Sequence, residues 1–306
     1  RIAVLNTEAA RAQLQLRRAD EWPTVGVGAG STRQVTASGS LGSVYTVGFS
    51  VTAYELDLFG RVRALGDAAA AQLLASDEAR KAAQIALVAA VAQTHVALAT
   101  DEELLALTRR TLATREESLR LTRLKFDNGV SSALDLRQAQ TLVEAARVSL
   151  AAFQRQREQD RHALALLVGE PLPAGYAPPR IAELVLADVP AGLPSDVLLA
   201  RPDVRQAEQS LIAAQANIGA ARAAFWPRIT LTGSLGTAST ALSGLFKDGA
   251  WSFAAQLLLP IFDAGRNRAA LASAQVQRDI AVAAYERSIQ SAFRDVDVFQ
   301  YTGHSH

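Results

Sequence analysis

The stretch QANIGAARAAFWPRITLTGSLGTAS, Gln215 to Ser239, changes period in its middle. It opens as alanine-rich helix, meets Trp226-Pro227, and then alternates polar and apolar residues through Arg228, Ile229, Thr230, Leu231 and Thr232. A helical period giving way to a period of two predicts a helix that re-emerges as a strand with one apolar face. The proline fixes the backbone for the change of direction, and an indole sits comfortably at a lipid–water boundary. The reading is that the chain enters a membrane here.

The same junction occurs twice. Residues 1–23, RIAVLNTEAARAQLQLRRADEWP, match residues 205–227, RQAEQSLIAAQANIGAARAAFWP, at an offset of 204. Arg1/Arg205, Ala3/Ala207, Arg18/Arg222, Ala19/Ala223, Trp22/Trp226 and Pro23/Pro227 are among the coincidences. Alanine richness inflates some matches but does not produce a repeated Trp-Pro. Further on, FGRVRA (Phe59 to Ala64) is answered by DAGRNRA (Asp263 to Ala269), with Gly60-Arg61 matching Gly265-Arg266. Each copy therefore predicts helix, Trp-Pro, strand, loop, strand, Gly-Arg, helix. The second copy reaches His306 inside its descending helix. Symmetry would ask for on the order of 100 further residues, and with no Met at Arg1 the expectation is a truncated chain.

Composition narrows the classes. With 31 Lys plus Arg against 30 Asp plus Glu, the net charge of +1 offers no global attraction for nucleic acid. The chain is 49% hydrophobic but only 6% aromatic, and much of the apolar content is alanine, which suits long, closely packed helices. There is no cysteine, which excludes disulfides and thiolate metal sites. No uninterrupted run of about 18 apolar residues occurs, so no transmembrane helix is expected.

Two strand candidates lie in each copy. In SVYTVGFSVTAYELDLF, Tyr45, Val47, Phe49, Val51 and Ala53 are apolar, and the residues between them are small or polar. In the second copy Ile229, Leu231 and Leu235 oppose Arg228, Thr230, Thr232 and Ser234. The last strand is expected to carry Trp251, Phe253, Ala255, Leu257, Leu259 and Ile261 on one face. The first, TVGVGAGST, is weaker because glycine dominates one side. Alternation alone fits a membrane strand or a soluble sandwich sheet equally. Aromatics near the strand ends, and hairpins separated by long helical tracts, favour the membrane. Four strands cannot close a barrel, and lipid does not tolerate open edges, so strands must be pooled between chains; three chains would supply twelve.

After Gly60 the pattern is helical to about Phe126, interrupted only by Gly66, a length on the order of 100 Å. Val91, Leu98, Leu105, Leu112, Leu119 and Phe126 recur every seven residues, as do Leu136, Val143 and Leu150. Sustained heptads predict coiled-coil packing. Between them FDNGVSSALDL predicts a tight turn at Asn128-Gly129, with Ser131 or Ser132 as the next helix cap. Pro and Gly then cluster from Gly169 to Pro202, an irregular linker, with Pro202 placed for the first turn of another helix.

Three stretches carry a family resemblance: ARPDVRQAEQSLIAAQANIGAARAAFWPRITL (Ala200 to Leu231), YELDLFGRVRA (Tyr54 to Ala64) and FDNGVSSALDLRQAQ (Phe126 to Gln140). With these the chain resembles the TolC-type outer membrane factors, in their OprM/NodT-like efflux branch. The resemblance implies a mixed α+β membrane protein, a homotrimer whose twelve-stranded β-barrel takes four strands per chain and continues into a long α-helical coiled-coil barrel. It implies a location in the outer membrane of a Gram-negative bacterium, extending into the periplasm. The role implied is a passive exit duct for drugs or other solutes, with a periplasmic adaptor protein and an inner-membrane RND-type pump as partners, outer membrane lipid around it, no nucleic acid and no cofactor. A channel for type I protein secretion, or a soluble periplasmic coiled-coil scaffold, are the competing readings.

On this resemblance residues 1–22 end a periplasmic helix, 23–60 form the first barrel hairpin, and 61–168 form a helical hairpin with its tip near 127–132. Residues 169–201 form an equatorial linker, 202–226 a second periplasmic helix, 227–263 the second barrel hairpin, and 264–306 a truncated descending helix. Asn128, Gly129, Val130 and Ser131 match the tip on which adaptors dock, and Asp135 matches an acidic position near the periplasmic gate. Trp22, Pro23, Trp226, Pro227, Tyr54, Gly60, Arg61, Gly265 and Arg266 are expected at the membrane interface and the strand–helix junctions. The family's lipid-bearing N-terminal Cys and its second helical hairpin are not within this sequence.

Other motifs lead nowhere chemical. After GVGAG (Gly26 to Gly30), Ser31 occupies the place of the third glycine of a dinucleotide loop and no helix follows. His304 and His306 end the chain, and His95 and His162 have no partner at ligand spacing. Glu116-Glu117 fits a solvated helix face. No nucleophile–base set is present, so no enzyme is expected. Asp135 also reads simply as a first-turn carboxylate facing the helix dipole.

Overall fold

A computed structural model describes residues 1–35, 41–183 and 199–303, with side chains described to residue 296. His304, His306 and the middle of the 169–201 linker lie outside the described residues. The chain forms two units, residues 1–82 with 191–306, and residues 83–190.

In the first unit four strands make one antiparallel sheet in the order β1 (Val25–Val35), β2 (Leu41–Leu56), β3 (Arg228–Ser239), β4 (Gly249–Leu258). The central β2·β3 pairing joins the two copies of the repeat, while β1 and β4 each have one edge with no partner strand among the described residues. The register puts the apolar sets in line: Val27 opposite Phe49, Phe49 opposite Leu235, Leu235 opposite Trp251. Because side chains alternate along a strand, the intervening rows fall on the other face, where Ser50, Ser234 and Ser252 align.

Two details depart from the sequence expectation. A bulge interrupts β2 between Val51 and Tyr54, and Ala53 turns to φ 53° with its N–H donating to Thr232 Oγ1 at 3.2 Å. One extra residue reverses the alternation, so Tyr54 and Leu56, not Ala53, continue the apolar face opposite Leu231 and Ile229. And β4 ends at Leu258, short of Leu259 and Ile261, where Pro260 has no N–H for a ladder.

Helices flank the sheet in sequence: α1 (Ile2–Ala19) before β1, α2 (Arg61–Asp127) after β2, α3 (Ala133–Val168), α4 (Pro202–Ala223) before β3, and α5 (Arg266–Gly303) after β4. Pro202 opens α4, as its fixed φ and missing N–H favour. Val204 of α4 and Ala292 of α5 form a buried cluster with Tyr285, Ile289 and Val296 around it. Thr7 of α1 reaches the Ser76 carbonyl of α2 at 3.3 Å. Gly66 does not interrupt α2.

The second unit holds residues 83–127 of α2 and all of α3. The heptad positions Leu98 and Leu105 are buried, as are Val143 and Leu164 of α3. Leu112, Leu119, Leu136 and Leu150 are half-buried and Phe126 is exposed. Arg147 pairs with Glu116 at 3.0 Å and Arg157 with Glu102 at 3.6 Å across the two helices. Gly169 ends α3 at φ 86°. The segment after it is fastened to α2 by Tyr176 Oη with His95 Nδ1 at 2.6 Å and by the Ile181 N–H donating to Glu103 Oε1 at 3.0 Å. His95 thus has a structural partner.

The expectation of no membrane-crossing helix needs correction in composition: an 18-residue window of α2 reaches a mean hydropathy of 1.6, with 11% of it buried. Alanine produces that value without a continuous run of large apolar residues, leaving a helix surface suited to close packing against other helices.

Candidate functional site: two-faced sheet, strand–helix junctions and hairpin tip

The sheet has two chemically distinct faces. One carries Val25, Val27, Val47, Phe49, Leu235, Trp251, Phe253 and Leu257 and is largely exposed in the single chain. Its opposite is small or polar, and one row across all four strands, Gly28, Gly48, Gly236 and Ala250, is nearly devoid of side chains. A hollow of ≈ 480 Å³ lies against that stretch of the sheet. At the centre the backbones press together: a Cβ on Gly236 would lie 2.1 Å from the Val47 carbonyl oxygen, and one on Gly48 2.5 Å from the Leu235 carbonyl oxygen. Only glycine fits there.

Below β2 the chain turns into α2 through Gly60 at φ 75°, and below β4 into α5 through Gly265 at φ 86°. Both repeat glycines therefore sit where an L-residue is strained. The first junction is held by charge. Arg61 donates to both oxygens of Glu55, at 2.8 and 2.7 Å, and Arg228 of the second copy donates to Glu55 Oε2 at 2.7 Å. Trp226 stacks on Phe59 with centroids 5.3 Å apart and planes 7° from parallel. Tyr54 Oη donates to the Glu21 carbonyl at 3.0 Å, tying strand to the end of the preceding helix.

The second junction is held by a cap. Asp263 accepts from the N–H groups of Gly265 and Asn267, both at 2.9 Å, and the Asn267 amide reaches the Ala224 carbonyl at 3.1 Å. The Asn267 N–H is the main reason the Asp263 carboxyl is held below its usual range. Arg266 is the first residue of α5, and Pro227 links the stacked Trp226 to β3. Trp22, the first-copy counterpart of Trp226, is 73% exposed, and Pro23 beside it is also exposed.

At the hairpin tip Gly129 adopts φ 76°. Its N–H donates to the Phe126 carbonyl at 2.9 Å and that of Val130 to the Lys125 carbonyl at 2.8 Å, a Schellman closure of α2. The Asn128 side chain covers the Leu124 carbonyl at 2.7 Å. Ser132, not Ser131, is the cap of α3: its hydroxyl accepts from the Asp135 N–H, while Asp135 accepts from the Ser132 N–H in return. Ser131 Oγ also donates to Asp135 Oδ2, at 3.0 Å. The Ser132 hydroxyl first, then its backbone N–H and the Ser131 hydroxyl, hold the Asp135 carboxyl below its usual range. Within the chain Asp135 is thus a capping residue that shapes the turn.

Sequence reasoning missed Glu55, Asp57 and Asp263. Asp57 accepts from the Arg63 N–H at 2.8 Å, and the signal was an acidic residue shortly before Gly-Arg in both copies. It also missed Asp101 of α2, 7% exposed, whose Oδ2 has no partner among the described residues. Burial first, then Asp160 of α3 and Glu102, raise its pKa to about 6. Among the described residues no group of three or more His, Asp or Glu is arranged to hold a metal.

Comparison with known proteins agrees with this geometry. The family described as outer membrane efflux protein matches residues 1–170 and 193–302. The chain is 48% identical over 306 residues to the solvent efflux pump outer membrane protein SrpC of Pseudomonas putida, covering 97% of this chain and 65% of that protein. It is 47% identical over 307 residues to outer membrane protein OprJ of Pseudomonas aeruginosa, covering 97% of this chain and 64% of that one. The chain therefore spans about 65% of the length of the curated relatives it matches. Among solved structures, a membrane protein from Pseudomonas aeruginosa superposes with a TM-score of 0.91 at 45% identity, covering 98% of this chain and 73% of that one. The open state of the Neisseria gonorrhoeae MtrE outer membrane channel superposes with a TM-score of 0.86 at 43% identity, covering 96% and 67%. By family match, identity and fold, the chain belongs to the outer membrane efflux proteins.

Proposed function

We propose that the chain is a protomer of the outer-membrane exit duct of a tripartite efflux system, passively conducting solvents, drugs or similar small molecules. The observation that carries this reading is the sheet: one apolar face, one small and polar face, and two open edges. In lipid an open edge leaves N–H and C=O groups unpaired at a cost of several kcal/mol each, roughly. Three copies joined edge to edge remove all edges and make a twelve-stranded barrel with the glycine row facing the lumen. The long helices then continue the wall into the periplasm, and their exposed alanine-rich surfaces are covered by neighbouring helices.

On this reading nothing reacts in the duct. Solute selection rests with an inner-membrane pump of the RND type, and a periplasmic adaptor docks on the tip formed by Asn128, Gly129, Val130 and Ser131. Asp135 serves the gate by holding that tip in shape and by pairing across protomers. Opening is a shift among packed helical states that an adaptor binds unequally. Arg61, paired with Glu55, secures the junction from inside, and Arg266, with no ion pair among the described residues, faces lipid phosphates.

The test is the mass and conductance of the protein extracted from its own outer membrane in mild detergent. Native mass spectrometry is expected to give a trimer, and planar bilayers an ion-conducting pore. A monodisperse monomer that behaves identically without detergent would overturn the duct and leave a soluble scaffold.

A further inference from the structure

The bulge in β2 does more than bend the strand. Side chains alternate along a strand, so without the extra residue at Ala53, Glu55 would share the apolar face with Val51 and Phe49. With it, Tyr54 and Leu56 take that face and Glu55 turns to the polar one, opposite Thr230. Val25 pairs with Val51 on the apolar face, so Thr24 and Thr52 also fall on the polar one. The bulge thus gathers Glu55 and its two arginines at the foot of the face that carries the glycine row.

A hollow of ≈ 270 Å³ opens there, lined by Arg17, Asp20 and Trp22 from the end of α1 and the turn after it, and by Glu55, Arg61 and Arg228. Thr24 and Thr52 border it too, which sets it on the polar side of the sheet. Three guanidinium groups meet two carboxylates in it. Glu55 is fully engaged: one oxygen accepts from Arg61 Nε at 2.8 Å, the other from Arg61 Nη2 and Arg228 Nε, both at 2.7 Å. Asp20 lies 3.6 Å from Arg17 Nη1, beyond hydrogen-bond reach. Among the described residues Arg61 Nη1, both Nη atoms of Arg228 and the guanidinium nitrogens of Arg17 have no hydrogen-bond acceptor. Asp57, the next carboxylate along the chain, is spent on the Arg63 N–H at 2.8 Å. Trp22 adds an indole that is 73% exposed, whereas its counterpart Trp226 is stacked on Phe59.

We infer that this hollow is a station for aromatic carboxylates on the wall of the duct: the carboxylate takes the free N–H groups of the guanidiniums, and the ring lies on Trp22. A guanidinium fork matches a carboxylate in shape and charge, and an indole face suits a flat ring. Glu55 holds Arg61 and Arg228 side by side against their mutual repulsion, and the three arginines leave one positive charge in excess over Asp20 and Glu55. The inference rests on the duct reading above, which turns the polar face to the lumen and repeats the hollow in each protomer. Water in the lumen screens these contacts, so the hold is weak enough to release a passing solute.

The probe is 4-fluorobenzoate, with fluoroacetate as the carboxylate that lacks a ring. Each is titrated by fluorine NMR against the protein extracted from its own outer membrane in mild detergent, with native mass spectrometry reporting the trimer in parallel. Fluorobenzoate is expected to bind saturably in the millimolar range and fluoroacetate roughly fivefold more weakly. Arg17→Gln leaves the Glu55 clamp untouched and is expected to weaken both probes, by about fivefold. Trp22→Leu is expected to bring fluorobenzoate down to the level of fluoroacetate and to leave fluoroacetate unchanged. A native trimer that binds the two probes equally, or whose fluorobenzoate binding survives Arg17→Gln, would overturn the station and leave the duct standing. A protein that is monomeric with and without detergent would sink both.

Discussion

The hairpin tip and the strand–helix junction both reverse or redirect the chain, and they are secured in opposite ways. At the tip each stabilising partner lies within six residues: Gly129 with Phe126, Val130 with Lys125, Asn128 with Leu124, Ser132 with Asp135. At the junction Glu55 is held by Arg228, 173 residues away, and Phe59 is stacked by Trp226. A turn that must present a fixed shape can be built from local capping alone. A seam that must hold two halves of a repeat together needs partners the chain brings from far apart, and it is correspondingly vulnerable to single changes.

The largest expected effect lies in the sheet that the junction supports. Gly236→Val puts a Cβ against the Val47 carbonyl and is expected to cost more than about 4 kcal/mol, whereas Gly28→Val, with open space around it, costs less than about 0.5 kcal/mol. Thermal unfolding of the two variants in detergent checks the contrast, and equal midpoints would break it. Next comes Glu55→Ala, which strands two guanidinium groups and is expected to cost roughly 2–3 kcal/mol. If Arg228→Ala is as costly in that background as on its own, the long-range clamp is not a coupled unit.

The helical hairpin offers a test by pH in which two carboxylates act with opposite sign. Asp101 binds its proton more tightly in the folded chain, about 6 against 3.8 unfolded. Its penalty is therefore absent at low pH, grows as pH rises from about 4, and is complete above about 6, reaching roughly 1–3 kcal/mol. Asp101→Asn is expected to stabilise the protein at pH 7.5 and to flatten that slope in thermal melts. Asp135 is held below its usual value, so its contribution is present at neutral pH and is lost as pH falls below about 4. A melt midpoint that rises with pH between 5 and 7 would contradict the Asp101 assignment.

Smaller effects belong to the tip. Gly129→Val forces a β-branched residue to φ 76° and is expected to cost about 1–2 kcal/mol and to weaken capture of the adaptor at least severalfold. Unchanged adaptor affinity in a folded variant counts against the tip as the docking surface. Ser132→Ala removes both hydrogen bonds of the cap hydroxyl, the one it accepts from the Asp135 N–H and the one it donates to the Asp135 carboxylate, worth about 1 kcal/mol, and a double variant with Asp135→Ala is expected to cost less than the sum because the two form one box.

How far the sequence could be read follows the same division. The two-faced strands, the glycine turn at 128–129 and the helix-to-strand change after each Trp-Pro all depend on short-range periodicity or fixed backbone preferences, and they stand in the structure as the residues indicate. The bulge at Ala53 was illegible because alternation continues unbroken through the sequence there, and only the pairing with β3 reverses it. The C-terminal end of β4 was overrun for a similar reason: apolar alternation continues past Leu258, but its partner β3 begins only at Arg228, after Pro227, and Pro260 has no N–H for the ladder. Glu55 and Asp101 looked like ordinary surface charges until folding placed arginines around the first and buried the second.

By itself, then, the sequence determined what each segment is: which residues alternate, which repeat every seven, where glycine must turn and where proline must stop. Those properties follow from backbone sterics and side-chain period, which act over a few residues. The tertiary structure alone decided which segments meet. The pairing of β2 with β3, the clamp of Glu55 by arginines from both copies, and the burial of Asp101 depend on contacts separated by tens to nearly two hundred residues. No local preference encodes such contacts, because their free energy appears only when the loop between them has closed.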